Sequence, residues 1–96
     1  MPMVVATCII TLELPGSHSL KDKRRVVKSI LARLRQEFNI AAAEIDGLDY
    51  WQTAVIGLAA VGNDKGYLHG QLEKCVAWIE QARPDAPIGD YYIEFR

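Results

Sequence analysis

Residues that build metal centres and nucleophiles are scarce in this chain. Two cysteines and two histidines occur in 96 residues, with no C-x-x-C and no carboxylate or thiol at ligand spacing from a histidine. That argues against a zinc site and leaves His18 and His69 as surface residues. Cys8 falls on the inward face of a predicted strand and Cys75 on that of a predicted helix, where thiols are inert, so no Cys–His nucleophile is expected. The glycines at 47, 57, 62, 66 and 70 are scattered and form neither a phosphate-cradling loop nor a dinucleotide-binding turn. Glu44, Asp46 and Asp49 lie near a turn, where carboxylates are hydrated, and nothing in the pattern gathers them into an acid–base pocket. No cofactor, no metal and no catalytic activity are expected.

Long apolar runs are also missing. The longest uncharged stretch, Tyr50 to Asn63, is 14 residues, short of the roughly 18 needed to cross a bilayer as a helix. The opening M-P-M-V-V has no basic region ahead of an apolar run, so no secretory signal is read there. The expectation is a cytoplasmic protein with reduced thiols and no membrane span. Its length suits a single domain over residues 1–96 with a core that needs no staples.

What the chain does have is charge in one place. Residues 21–35 hold seven Lys/Arg and one Asp, net +6, while the other 81 residues hold four Lys/Arg and eleven Asp/Glu, net −7, so a formal charge of −1 hides a strong asymmetry. The basic stretch lies in a predicted amphipathic helix, Ser19 to Phe38. At about 100° per residue, Leu20, Val27, Ile30, Leu31, Leu34 and Phe38 share one arc, and Lys21, Arg25, Lys28 and Arg35 form a stripe beside it. Lys21/Arg25 and Arg24/Lys28 are like charges four apart, costing roughly 0.2–0.5 kcal/mol per pair. Lys23, Arg24 and Arg25 crowd a helix end whose dipole favours anions by roughly 0.3–1 kcal/mol per charge. A helix that breaks two local rules at once serves something outside itself more often than not.

Around that helix the remaining elements follow in order. Met3 to Leu14 alternates as a strand with Val4, Ala6, Cys8, Ile10, Leu12 and Leu14 inward. Pro15-Gly16 ends it, and Ser19 with Asp22 predicts a capping box. Asn39, in a left-handed conformation, is expected to close the helix. Ile40 to Ile45 and Trp51 to Val61 read as two strands joined by the Asp46–Asp49 turn. Asp64 is the predicted cap of a second helix carrying Leu68, Leu72, Cys75, Val76 and Ile79 at helical spacing, ended by Pro84 and Pro87. Ile88 to Arg96 is a last strand. The order β-α-β-β-α-β predicts an α+β, ferredoxin-like sandwich: a four-stranded antiparallel sheet with both helices on one face, because right-handed crossovers place them on the same side.

With these elements assigned, the chain resembles the YlxP-like family of small bacterial proteins, classed as a domain of unknown function. The likeness spans nearly the whole chain. It rests on P-G-x-x-S-L-K-D-K-R-R at Pro15 to Arg25, V-V-K-S at Val26 to Ser29, R-x-x-F-N at Arg35 to Asn39, A-E at Ala43–Glu44, W-Q at Trp51–Gln52 and N-D at Asn63–Asp64. The resemblance implies a ferredoxin-like fold. Family genes commonly lie beside those for translation initiation factor two and ribosome-binding factor A, which implies work on RNA or the ribosome. Members often carry D-Q-D-L-W-Q in the hairpin loop, where this chain has G-L-D-Y-W-Q from Gly47 to Gln52.

The leading expectation is a non-catalytic protein that binds RNA or a ribosomal subunit through Lys21, Lys23, Arg24, Arg25, Lys28 and Arg35, contacting phosphates with little sequence choice. The outward positions of the central strands, Thr7, Ile9, Thr53, Val55, Gly57 and Ala59, offer no aromatic platform for bases. Tyr50 and Trp51 are the one pair placed to stack. The alternative is a protein-interaction module whose basic helix docks an acidic partner. An apolar patch of Val5, Ile9, Val55, Ala59 and Val61, opposite the helices, is expected to make a homodimer.

Overall fold

The structure, a computed structural model, describes residues 2–96. Six elements follow one another: β1 (Val4–Glu13), α1 (Leu20–Glu37), β2 (Ala41–Asp46), β3 (Thr53–Gly62), α2 (Lys65–Ala82) and β4 (Ile88–Phe95). The strands form one sheet in the order β2-β3-β1-β4, and every neighbouring pair is antiparallel. This is the ferredoxin-like arrangement, with the two longest strands in the centre.

Period-2 alternation divides the sheet cleanly. Ala6, Cys8, Ile10 and Leu12 of β1 and Ala54, Ile56, Leu58 and Ala60 of β3 are buried beneath the helices. From above, α1 contributes Val27, Ile30, Leu31 and Leu34, and α2 contributes Leu68, Leu72, Cys75, Val76 and Ile79. The odd-numbered residues of β1 and β3 make the other, uncovered face.

Each helix begins on a side-chain cap. Ser19 Oγ accepts from the Asp22 amide at 3.1 Å, while the Asp22 carboxylate accepts from the His18 N–H at 3.2 Å, one residue ahead of the usual capping-box partner. Asp64 Oδ1 accepts from the amides of Gly66 and Tyr67, at 2.9 and 3.2 Å.

Two local expectations are corrected. Asn39 is not left-handed: among the described residues no non-glycine has positive φ. Phe38 ends α1 in extended geometry (φ −131°, ψ 147°) while its N–H still reaches the Leu34 carbonyl. Phe38 and Ile40 both pack against the core, and an extended exit delivers both there without a reversal. The third strand starts at Thr53, paired with Glu13 at the end of β1, rather than at Trp51, since β1 offers no further partner beyond that residue. Register also shifts in both edge strands, between Glu44 and Asp46 in β2 and opposite Thr11/Leu12 in β4. Such bulges bend an edge away from further pairing.

Candidate nucleic-acid interface on the first helix

The start of α1 and the loop before it meet the end of β2 and the loop after it at one end of the sheet, and five polar contacts hold them there. The Lys23 side chain is fully buried. Its ammonium lies 2.8 Å from Glu44 Oε2 and donates to the Gly47 carbonyl oxygen. Glu44 Oε2 is itself enclosed and has no directed hydrogen bond, so the ion pair is what neutralises it. Gln52 closes the other side: its amide donates to the Ser17 carbonyl at 3.1 Å and toward that of Pro15 at 3.4 Å, and its own backbone carbonyl accepts from the Leu14 N–H at 2.8 Å. Residues 15–25 and 44–52, distant in sequence, therefore form one structural unit.

This corrects the expectation for Lys23. It is an interior cation serving the hairpin and cannot touch a phosphate in this fold. The signal was present in the sequence: Lys23 sits four before Val27, seven before Ile30 and eleven before Leu34, on the arc that turns inward. Glu44 and Gln52 carried no comparable signal, because their partners come from other elements.

The other cations divide by what they touch. Lys21, Arg24, Arg25 and Lys28 are exposed, and none forms an ion pair among the described residues. Arg24 and Lys28 border a hollow with Val27, Leu31 and Glu44 on the β2 side of the helix. Arg25 borders another with Ser17, Asp22 and Asp85. Arg35 points the same way as Arg24 and Lys28, but its guanidinium donates to the Ala42 carbonyl at 2.6 Å, which makes it a tie between α1 and β2. Arg33 pairs with Glu37 at 3.1 Å and lies over the Trp78 ring. The field-generating group is therefore the first half of α1.

Tyr50 and Trp51 stand at the same end, 65% and 54% exposed, in the loop that Lys23 and Gln52 hold down. Both rings are open to a ligand that approaches that end. The five residues expected at an interface, Val5, Ile9, Val55, Ala59 and Val61, do share the uncovered sheet face, with Val61 62% exposed.

Cys8 and Cys75 are fully buried in the core. Burial pushes the Cys8 thiol up to about 12, helped by the neighbouring Cys75, and pushes that of Cys75 up to about 11. Neither supplies a thiolate near neutrality. Among the described residues no group of three or more His, Cys, Asp or Glu is placed to hold a metal ion, and no helix is long and apolar enough to cross a membrane.

Fold and surface together define a small ferredoxin-like α+β domain distinguished by a cationic helix. Residues 5–93 match the family described as "Protein of unknown function (DUF503)", and the chain belongs to that family. It is 39% identical over 62 residues to "Uncharacterized protein YlxP" of Bacillus subtilis (strain 168), a stretch covering 65% of this chain and 67% of that protein. Among solved structures, the de novo designed protein Foldit4 aligns at a TM-score of 0.53 and 15% identity, over 99% of this chain and 97% of its own. That last likeness concerns fold alone, since a fold of this kind hosts many functions.

Proposed function

We propose that the protein is a non-catalytic, cytoplasmic RNA-binding protein that takes phosphates of RNA, including ribosomal RNA, along the first half of α1. Lys21, Arg24, Arg25 and Lys28 are the contacting cations, and Trp51 with Tyr50 is the adjoining surface on which an unpaired base can stack. One observation carries the reading. Four exposed cations stand together without an ion pair among the described residues, in a chain that has eleven acidic residues outside that stretch. They do so at spacings and at a helix end where charge of this sign is locally unfavourable. Phosphate supplies what the rest of the protein withholds.

The test is co-sedimentation with ribosomal subunits, and direct titration of a ribosomal RNA fragment, at graded salt. Four phosphate contacts to single-stranded RNA predict a log–log slope of roughly −3, at about 0.7 per contact. Substitution of Arg25→Glu with Lys28→Glu should abolish binding while the fold stays intact. Association that ignores both salt and the double reversal would refute the proposal. Binding retained by an acidic protein but not by RNA would transfer the basic helix to a protein partner.

A further inference from the structure

Opposite α1 and α2 lies a second surface of different chemistry. Its floor is small and apolar. Ala41 and Ala43 of β2 stand across from Ala59 and Gly57 of β3, and with Ile9 and Ile45 they line a trough of about 360 Å³. The bulge in β2 places Ile45 over Gly57, where an added Cβ would lie 3.1 Å from Ile45 Cγ2. The rim is acidic. Cross-strand register sets Glu94 opposite Thr7 and Asp90 opposite Thr11, Glu13 opposite Thr53, and Asp46 opposite Val55. Four exposed carboxylates thus edge one face. One cation, Arg96, lines the trough itself, 3.9 Å from Glu94, and leaves the face with a surplus of carboxylates.

Charge and shape select among the possible occupants. Nucleic acid is repelled by the carboxylates. A second copy related by a two-fold axis would bring four carboxylates and one arginine from each face together, a net like-charge repulsion across a desolvated contact. The basic helix of a second copy has the right sign but the wrong shape, because its exposed positions include no row of large apolar side chains to enter the trough. We infer that the uncovered sheet face docks a cationic amphipathic helix of a partner protein, its aliphatic row lying in the Ala41–Ala43–Ala59 trough and its Lys/Arg flanks meeting Glu13, Asp46, Asp90 and Glu94. Dimensions agree. An 18-residue helix is roughly 27 Å long and about 10 Å across. The two central strands, of 10 residues each, run roughly 33 Å, in a sheet about 14 Å wide between its outer strand axes. Such a helix would complete a third layer over the sheet, as helix-in-groove recognition does elsewhere. The inference is independent of RNA binding, since the two surfaces lie on opposite sides of the sheet.

The experiment uses the full chain and two labelled 18-residue peptides with the same leucine row at helical spacing, one filled out with lysine and the other with glutamate. Fluorescence anisotropy should show binding of the Leu/Lys peptide and none of the Leu/Glu peptide. NMR shifts should map to the uncovered face of β1, β2, β3 and β4, away from α1. Glu13→Lys with Asp90→Lys should weaken binding at least tenfold, about 1.4 kcal/mol. Should that pair of reversals impair folding, Glu13→Gln with Asp90→Asn should still weaken it several-fold. Arg25→Glu with Lys28→Glu on α1 should not weaken it. Equal binding of both peptides, or indifference to the rim substitutions, would overturn the proposal. So would a dimer in light scattering that Ile9→Asp dissociates, which would give the face to a second copy.

Discussion

Helices α1 and α2 cover the same sheet with the same number of residues, 18 each, start on side-chain caps and bury five residues apiece. Their charges differ sharply. Across its span α2 carries Lys65 and Lys74 against Glu73 and Glu80, net zero, whereas α1 carries seven Lys/Arg against Asp22 and Glu37, net +5. Packing on this sheet asks for no net charge, because α2 does it with none. Of the seven cations on α1, the fold accounts for three: Lys23 holds the hairpin, Arg35 holds β2, and Arg33 pairs within the helix. Lys21, Arg24, Arg25 and Lys28 are the remainder. The comparison isolates them better than a count of charges could.

The largest expected effect tests the cation that the fold claims. Lys23→Met removes the partner of an enclosed carboxylate oxygen and the donor to the Gly47 carbonyl. It should cost about 3 kcal/mol in urea denaturation, at the low end of the range for broken buried pairs because the Glu44 side chain, 14% exposed, can partly rehydrate. Pairing Lys23→Met with Glu44→Leu should recover most of that loss, since two apolar residues remove both desolvation penalties. A single substitution that costs less than about 1 kcal/mol would return Lys23 to the surface group.

Next come the cations the fold does not claim. Arg25→Glu with Lys28→Glu should lower RNA affinity by well over tenfold, more than about 1.4 kcal/mol, while stability holds or rises. The rise is a few tenths of a kcal/mol, as the like-charge pairs Lys21/Arg25 and Arg24/Lys28 become opposite-charge pairs. Lys74→Glu on α2 is the matched control and should leave RNA affinity unchanged. Loss of stability on the α1 reversal would mean that these cations serve the fold after all.

How much of this was legible in the sequence follows from where each signal lives. Alternation in β1 and β3 and the apolar spacing of both helices are local, and they suffice for the order of elements and the covered face. The capping roles of Ser19 and Asp64 are local too. The error at Lys23 came from reading charge before position: its place on the Val27–Ile30–Leu34 arc outweighs its ammonium once Glu44 arrives from β2 to pair with it. Gln52, held by the carbonyls of Ser17 and Pro15, was unreadable because its partners are 35 and 37 residues away. The acidic rim was missed for the same reason. Glu13, Asp46, Asp90 and Glu94 come from three strands, and only cross-strand register gathers them.

A smaller effect is expected within α2. Gly70 lies inside the helix beside open space: beyond the helix's own backbone, no atom stands within 4 Å of the position a Cβ would take. Gly70→Ala should therefore stabilise the protein by about 0.5–1 kcal/mol, a rise of roughly 3–7 °C in Tm, by restricting the unfolded chain. Gly66→Ala should gain less, because its Cβ would meet Asp64 Oδ1 at 3.3 Å and press on the cap. Equal gains at both sites would show that the cap yields freely.

The smallest effect concerns the joint between the two helices. Arg83, capping the end of α2, donates from Nε and Nη2 to the two carboxylate oxygens of Asp85, at 3.0 and 2.9 Å, and from Nη1 to Ser29 Oγ of α1 at 2.9 Å. The hydrogen bonds from Arg83, aided by its charge, hold the Asp85 carboxyl below its ordinary range. A carboxylate whose folded pKa is depressed contributes stability that is fully present above its unfolded pKa and is lost as pH falls through the folded one. The Asp85 side chain is 52% exposed, so solvent screening reduces the contribution to a few tenths of a kcal/mol. Asp85→Asn should therefore cost that small amount at pH 7, and the gap between the two proteins should close in acid, as the pH is taken below the depressed folded pKa of Asp85. Urea denaturation at both pH values reads the difference directly. A gap that persists in acid would mean that Asp85 fixes the Arg83 side chain by shape rather than by charge, and that Ser29 on α1 feels α2 through that geometry alone.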